Sequence, residues 1–130
     1  MKTLEIKQTS NTPWVLLDKT QNKFRFQGKS FPENTADFYE PVIAWLDGYS
    51  KEPNKKTVIE MQFDYFNTSS AKMILEVFKK IKDVKEAGSD VLVRWKYLSM
   101  DEEMQEVGEE YEFMVDIPFE YVEIEDDFES

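Results

Sequence analysis

Two periodicities meet in the middle of the chain. Residues 57–65 alternate apolar and polar, the period of a strand, with Ile59, Met61, Phe63 and Tyr65 on one side. Directly after them Ala71, Ile74, Leu75, Phe78 and Ile81 recur at helical spacing, which predicts a helix over about 69–86. Further strands are predicted at 4–7, 14–18, 24–27, 90–97 and 119–125. Phe38, Tyr39, Val42, Ile43, Trp45, Leu46 and Tyr49 form the apolar stripe of an earlier helix. Pro41 sits awkwardly in it. Either the regular helix begins near Tyr39 or Glu40, or Asn34 or Thr35 caps a first turn and Pro41 introduces a kink. Ser99-Met-Asp-Glu102 reads as a capping box opening a third helix that runs to about Phe113, with Gly108 inside it. Residues 126–130 read as a frayed tail.

The order β-β-β-α-β-α-β-α-β predicts an α/β (mixed α+β) fold in one domain spanning 1–130, a mixed sheet whose second half is built from parallel crossovers. A parallel strand buried on both faces reads as continuously apolar. Here Glu60, Gln62 and Asp64, and Leu92, Arg94 and Lys96, fill the other face of their strands. The helices are therefore expected mainly on one face, with the opposite face open to water or to a partner. If the two strands are neighbours, Glu60 and Asp64 can pair with Arg94 and Lys96 across that open face.

Composition narrows the chemistry. The chain has no Cys and no His, which removes Cys and Ser–His nucleophiles, imidazole acid–base work and ordinary zinc sites. The net charge of −11 argues against nucleic acid or an anionic membrane as a partner. No Gly-rich phosphate loop and no calcium-loop spacing is present, so neither cofactor nor metal is expected. Met1-Lys-Thr-Leu-Glu-Ile-Lys7 lacks the apolar core of a signal peptide, and a cytoplasmic location is expected. The charge is also uneven: residues 101–130 hold 14 acids and no base, and the first hundred residues are net +3. Because Met104, Val107, Tyr111, Phe113, Ile117, Phe119, Tyr121 and Ile124 interleave those acids, the segment reads as folded structure with one acidic surface.

The junction of the two periodicities is the leading site. Phe66-Asn67-Thr68-Ser69-Ser70 is a strand-to-helix turn at the carboxyl end of a strand, the edge of an α/β sheet where ligands and partners are usually met. Asn, Thr and Ser are preferred helix caps, and one cap accounts for one of these residues. Capping alone is one reading of the block; the functional reading is a phosphoacceptor, since a phosphate there would add about −1.5 to −2 charge beside the positive end of a helix. Asp64 is a weaker candidate for an aspartyl-phosphate acceptor: it lies before the strand end, on the expected open face, and no acidic pair follows the first strand. Two other classes fit the composition: a small carboxylate-dependent enzyme, and a constitutive scaffold that dimerises through its open sheet face.

Three blocks carry a family resemblance. Ser30-Phe-Pro-Glu-Asn34 leading to Trp45-Leu46, then Tyr65-Phe-Asn-Thr-Ser-Ser70, then Arg94-Trp-Lys-Tyr97 followed by Asp101-Glu-Glu-Met104 and Glu106-Val-Gly-Glu109, resemble the SiaC family of bacterial regulatory phosphoproteins. They span most of the chain in the family's order, departing from it around Leu98-Ser-Met100. A more distant resemblance is to STAS domains, the anti-sigma-factor antagonists. What the resemblance implies is a non-enzymatic partner switch in a STAS-like domain. A Ser/Thr protein kinase phosphorylates the turn, a PP2C-type phosphatase reverses it, and the modification controls a downstream effector such as a diguanylate cyclase. By motif position the acceptor would be Thr68, with Ser69 and Ser70 as fallbacks, and Asn67, Phe66 and Asp64 shaping the turn and meeting the partner.

Overall fold

The computed structural model describes residues 1–125, so the expected frayed tail at 126–130 lies outside the described residues. Chain order is β1 (Leu4–Ile6), β2 (Trp14–Asp18), β3 (Lys23–Ser30), α1 (Thr35–Tyr49), β4 (Lys56–Phe66), α2 (Thr68–Glu86), β5 (Asp90–Leu98), α3 (Glu102–Val115) and β6 (Phe119–Ile124). The strands lie in one sheet in the order β1-β2-β3-β4-β5-β6. β1, β2 and β3 are antiparallel neighbours, and β3 through β6 run parallel. The β2–β3 hairpin is short because Asn22 takes the left-handed conformation at φ 58° and Asp18 accepts the Gln21 amide at 3.0 Å.

Three crossovers step across the sheet in one direction. Crossovers of one hand and one direction put their helices on one face. Val15, Leu17, Phe24, Phe26, Ile59, Met61, Phe63, Val91, Val93 and Trp95 point into that face and are buried against Tyr39, Val42, Leu46, Ile74, Val77, Phe78 and Ile81 of the helices. The other face of β4 and β5 is only partly covered, as their alternation predicts.

Three local expectations need correction, and the open choice at the start of α1 is decided for Asn34 as the cap. Tyr65 does not share a face with Ile59, Met61 and Phe63. Gly28 pairs with Phe63 and Lys29 with Tyr65, so Asp64 is an extra residue in β4, a bulge. It turns Tyr65 outward against Phe31, ring centroids 5.9 Å apart, and Phe66 inward against Phe63 at 5.4 Å. Asp64 itself is exposed and, among the described residues, makes no ion pair; Glu60 pairs with Lys96 and Arg25, while Arg94 turns to Glu120 at 2.7 Å. The helix after β5 is capped by Asp101, not Ser99: Asp101 Oδ1 accepts the Met104 amide at 3.0 Å, while the Ser99 amide extends the sheet to the Ile124 carbonyl at 2.8 Å. α1 begins at Thr35 with Asn34 as its cap and keeps Pro41 inside. The carbonyl that Pro41 leaves without its helical partner belongs to Asp37, and both residues are exposed, so water can satisfy it.

Gly108 is where α3 rests on the sheet. A methyl group there would stand 2.6 Å from the Trp95 indole, whose Nε1 donates to the Met104 carbonyl at 2.9 Å. The indole is walled in by Phe63, Phe78, Tyr111 and Phe119 and has no room to retreat. Gly108→Ala is therefore expected to destabilise the fold by about 1–3 kcal/mol through overpacking, although Ala is the better helix former. Urea unfolding measures this, and a variant as stable as the parent would refute the close contact.

Candidate functional site

β4 ends, and α2 begins, without a loop. Phe66 is the last residue of the strand, Asn67 is the cap and Thr68 opens the helix. Asn67 holds the junction through three bonds. Its side-chain oxygen accepts the Ser70 amide at 2.9 Å, its own amide donates to the Ser30 carbonyl at 3.1 Å, and its carbonyl accepts the Ala71 amide at 2.9 Å. The first and third are what a helix N-terminus requires. The second ties the turn to the end of β3.

The three hydroxyls that follow point in three directions, because successive helical residues are about 100° apart. Thr68 is exposed and lines an open groove of about 320 Å³ between α2 and α3. Phe66, Ala71, Leu75, Val107, Tyr111 and Met114 give that groove its apolar walls, with Lys72 and Glu110 at its edges. Ser69 is exposed too, and helical spacing puts it one turn before Met73, on the side of α2 that faces α1. Ser70 points into the core and has no exposed surface. Its Oγ lies 2.8 Å from Ser30 Oγ, which lies 2.7 Å from the Tyr39 hydroxyl. Burial pushes the Tyr39 phenol up to about 12, against the opposing pull of the Ser30 and Ser70 hydroxyls. The chain of hydroxyls is thus neutral at ordinary pH and serves as a structural tie. In the folded protein the Ser70 hydroxyl, unlike those of Thr68 and Ser69, has no access to solvent.

Phe66 lines the groove and Asn67 caps the helix. Asp64 belongs instead to the bulge, on the sheet side, and no hydrogen bond or ion pair among the described residues joins it to the turn. Sequence reasoning missed the groove's second wall. Tyr111 of α3 donates its hydroxyl to the Ala71 carbonyl at 2.8 Å, fastening α3 to the first turn of α2. Nothing in the spacing of residues 107–114 announces which helix they face.

Among the described residues two carboxylates are shifted, both downward. The Lys80 hydrogen bond and the charges of Lys80 and Lys51 lower Asp47. Burial pulls Glu60 up, but the Lys96 hydrogen bond and the charges of Lys96, Arg25 and Arg94 outweigh it. A general acid needs the opposite shift. Among the described residues no cluster of three Asp or Glu could hold a metal ion.

The division of labour within the turn is measurable by urea unfolding. Asn67→Ala is expected to cost about 1 kcal/mol, the usual worth of a helix cap. Thr68→Ala is expected to change stability by less than about 0.5 kcal/mol, as for an exposed side chain with no structural bond. Equal losses in the two variants would contradict Asn67 as the sole cap.

Comparison with known proteins bears on this site. The family model described as SiaC family regulatory phosphoprotein matches residues 6–124. An uncharacterised protein of Pseudomonas aeruginosa strain UCBPP-PA14 is 28% identical over 119 residues, covering 92% of this chain and 94% of its own. The crystal structure of apo-SiaC from Pseudomonas aeruginosa is similar at TM-score 0.85 and 26% identity, covering 94% of this chain and 99% of that one. A chain in the crystal structure of the Pseudomonas aeruginosa diguanylate cyclase SiaD in complex with its activator SiaC is similar at TM-score 0.86 and 26% identity, covering 93% of this chain and 99% of that one. With the family model matched over residues 6–124, the chain belongs to the SiaC family of regulatory phosphoproteins.

Proposed function

We propose that this chain is a non-enzymatic bacterial switch protein, phosphorylated reversibly on Thr68, whose modification controls its binding to a downstream effector. A Ser/Thr protein kinase and a PP2C-type phosphatase set the modification, and the effector is a protein such as a diguanylate cyclase. The observation that carries this reading is the geometry of Thr68. It is exposed, makes no side-chain hydrogen bond among the described residues and stands at the mouth of an apolar groove, on a turn anchored by other residues. Such a hydroxyl can enter a kinase active site without any opening of the core.

The consequence of modification follows from charge. A phosphate on Thr68 brings about −1.5 to −2 charge to the first turn of α2. The helix N-terminus and Lys72, one turn on, favour it; Glu110 across the groove opposes it. The fold need not change. A partner that covers the groove must desolvate the dianion, and its affinity falls accordingly. The likeness to SiaC bound to SiaD, where SiaC is the activator of the cyclase, supports a cyclase as the effector. No helix of the described residues is long and apolar enough to cross a membrane, which suits a cytoplasmic setting.

Incubation with the cognate kinase and ATP, followed by peptide mass mapping, tests the proposal. Phosphate is expected on Thr68, lost in Thr68→Ala and kept in Ser70→Ala. Phosphate confined to residues outside the turn, or none, would sink it. Binding to the cyclase, measured by calorimetry, is expected to weaken at least about tenfold, or about 1.4 kcal/mol, on phosphorylation.

A further inference from the structure

The two faces that the fold leaves in water differ in how they handle charge. On the outer sheet face the charges answer one another: Arg25, Glu60, Arg94 and Glu120 stand in one cross-strand row, and they pair within the row and with Lys96. Most charges of that face are thus partnered within it; Arg25 Nε, buried with no hydrogen bond among the described residues, and the exposed Asp64 are exceptions. α3 is the opposite case. Its six glutamates have no base among them on the helix; the cation at its C-terminal end comes from α2, where Lys82 donates to the Asp116 carbonyl at 3.1 Å. Glu112 is spent inside the protein, accepting from the Tyr121 hydroxyl at 2.6 Å and the Phe119 amide at 3.1 Å. None of the six is in an ion pair among the described residues. Glu106, Glu109 and Glu110 repel one another at helical spacings.

Large apolar side chains stand among these acids. Phe113 is 83% exposed and Met114 59%. With Glu106, Glu109 and Glu110 they line one shallow hollow, and Met114 and Glu110 also line the α2–α3 groove that ends at Thr68. Uncompensated charge of one sign around an exposed aromatic–thioether pair is what an interface anchor looks like before its partner arrives.

We propose that the solvent face of α3, continuous with the α2–α3 groove, is the docking surface for a cationic partner segment carrying apolar anchors. Lysines or arginines of that segment meet Glu106, Glu109 and Glu110, and its apolar side chains cover Phe113 and Met114. The acids raise the rate of encounter and fix orientation, while the apolar pair supplies the hold. The proposal rests on the chain being a partner-binding regulator, but needs no phosphate on Thr68, so the two can fail separately.

The probe is a synthetic peptide of leucine and lysine, titrated into the full chain and followed by amide NMR shifts. A Ser/Lys and a Leu/Glu peptide of equal length are the controls. The Leu/Lys peptide is expected to shift amides within 106–114 and 71–75, and to bind at least about tenfold tighter than either control. Phe113→Ser and the triple change Glu106→Gln, Glu109→Gln, Glu110→Gln are each expected to weaken it about tenfold; all four side chains are exposed, so the fold is retained. Equal binding of the Ser/Lys peptide would overturn the proposal, as would shifts confined to the sheet face. A concentration-dependent dimer abolished by Phe113→Ser would overturn it too, by making a second copy the occupant.

Discussion

Every parallel crossover in this sheet steps to the next strand in the same direction, and the rest of the architecture follows from that constraint. Three helices on one face leave the other wet. Three helix N-termini come to the same edge of the sheet, each just past the carboxyl end of a strand. Of these three junctions, β4–α2 has only Asn67 between strand and helix. Its neighbour in the sheet, β3, supplies the Ser30 carbonyl and hydroxyl that secure it, and α1 supplies Tyr39 beneath. The turn is tied to elements on either side of it.

Within the turn, the holding falls to some residues and not to others. Asn67 and Ser70 do the holding, with bonds to backbone and to buried hydroxyls. Thr68, between them in sequence, is released from it and left on the surface. A modification at such a residue perturbs the surroundings of the helix start without competing against bonds that keep it in place. A hydroxyl engaged in the fold would have to give up a buried partner first, at a cost of about 1–3 kcal/mol for the group left behind.

Much of the fold was legible in the chain. Alternation in 57–65 and 90–97 marks two half-covered strands, and the burial of Ile59, Met61, Phe63, Val91, Val93 and Trp95 follows it. The turn was legible as well, because a run of four small polar residues ends the strand period on one side and precedes the helical one on the other. The bulge was not. Asp64 carries no signal of being extra; only its neighbour β3 reveals the mismatch of register. The α3 cap was misread for a related reason. Ser99 and Asp101 are both good caps, and the choice fell to Asp101 because β6 claims the Ser99 amide. The ends of these elements are set by partners distant in sequence, which local pattern cannot see. The groove beside Thr68 has the same origin: it exists only because Tyr111 and Met114 of α3 come to lie across from Ala71 and Leu75.

The bulge in β4 makes the strand's end a matter of parity. Inside and outside alternate along a strand, so one extra residue exchanges them for everything that follows. Up to Phe63 the odd-numbered residues face the core; after Asp64 the even-numbered Phe66 does. The helix inherits that phase, since no loop intervenes to absorb a half-turn. Which of Thr68, Ser69 and Ser70 meets solvent, and which is sealed in the core, is thus decided four to six residues upstream, by whether the count between Phe63 and the cap is odd or even.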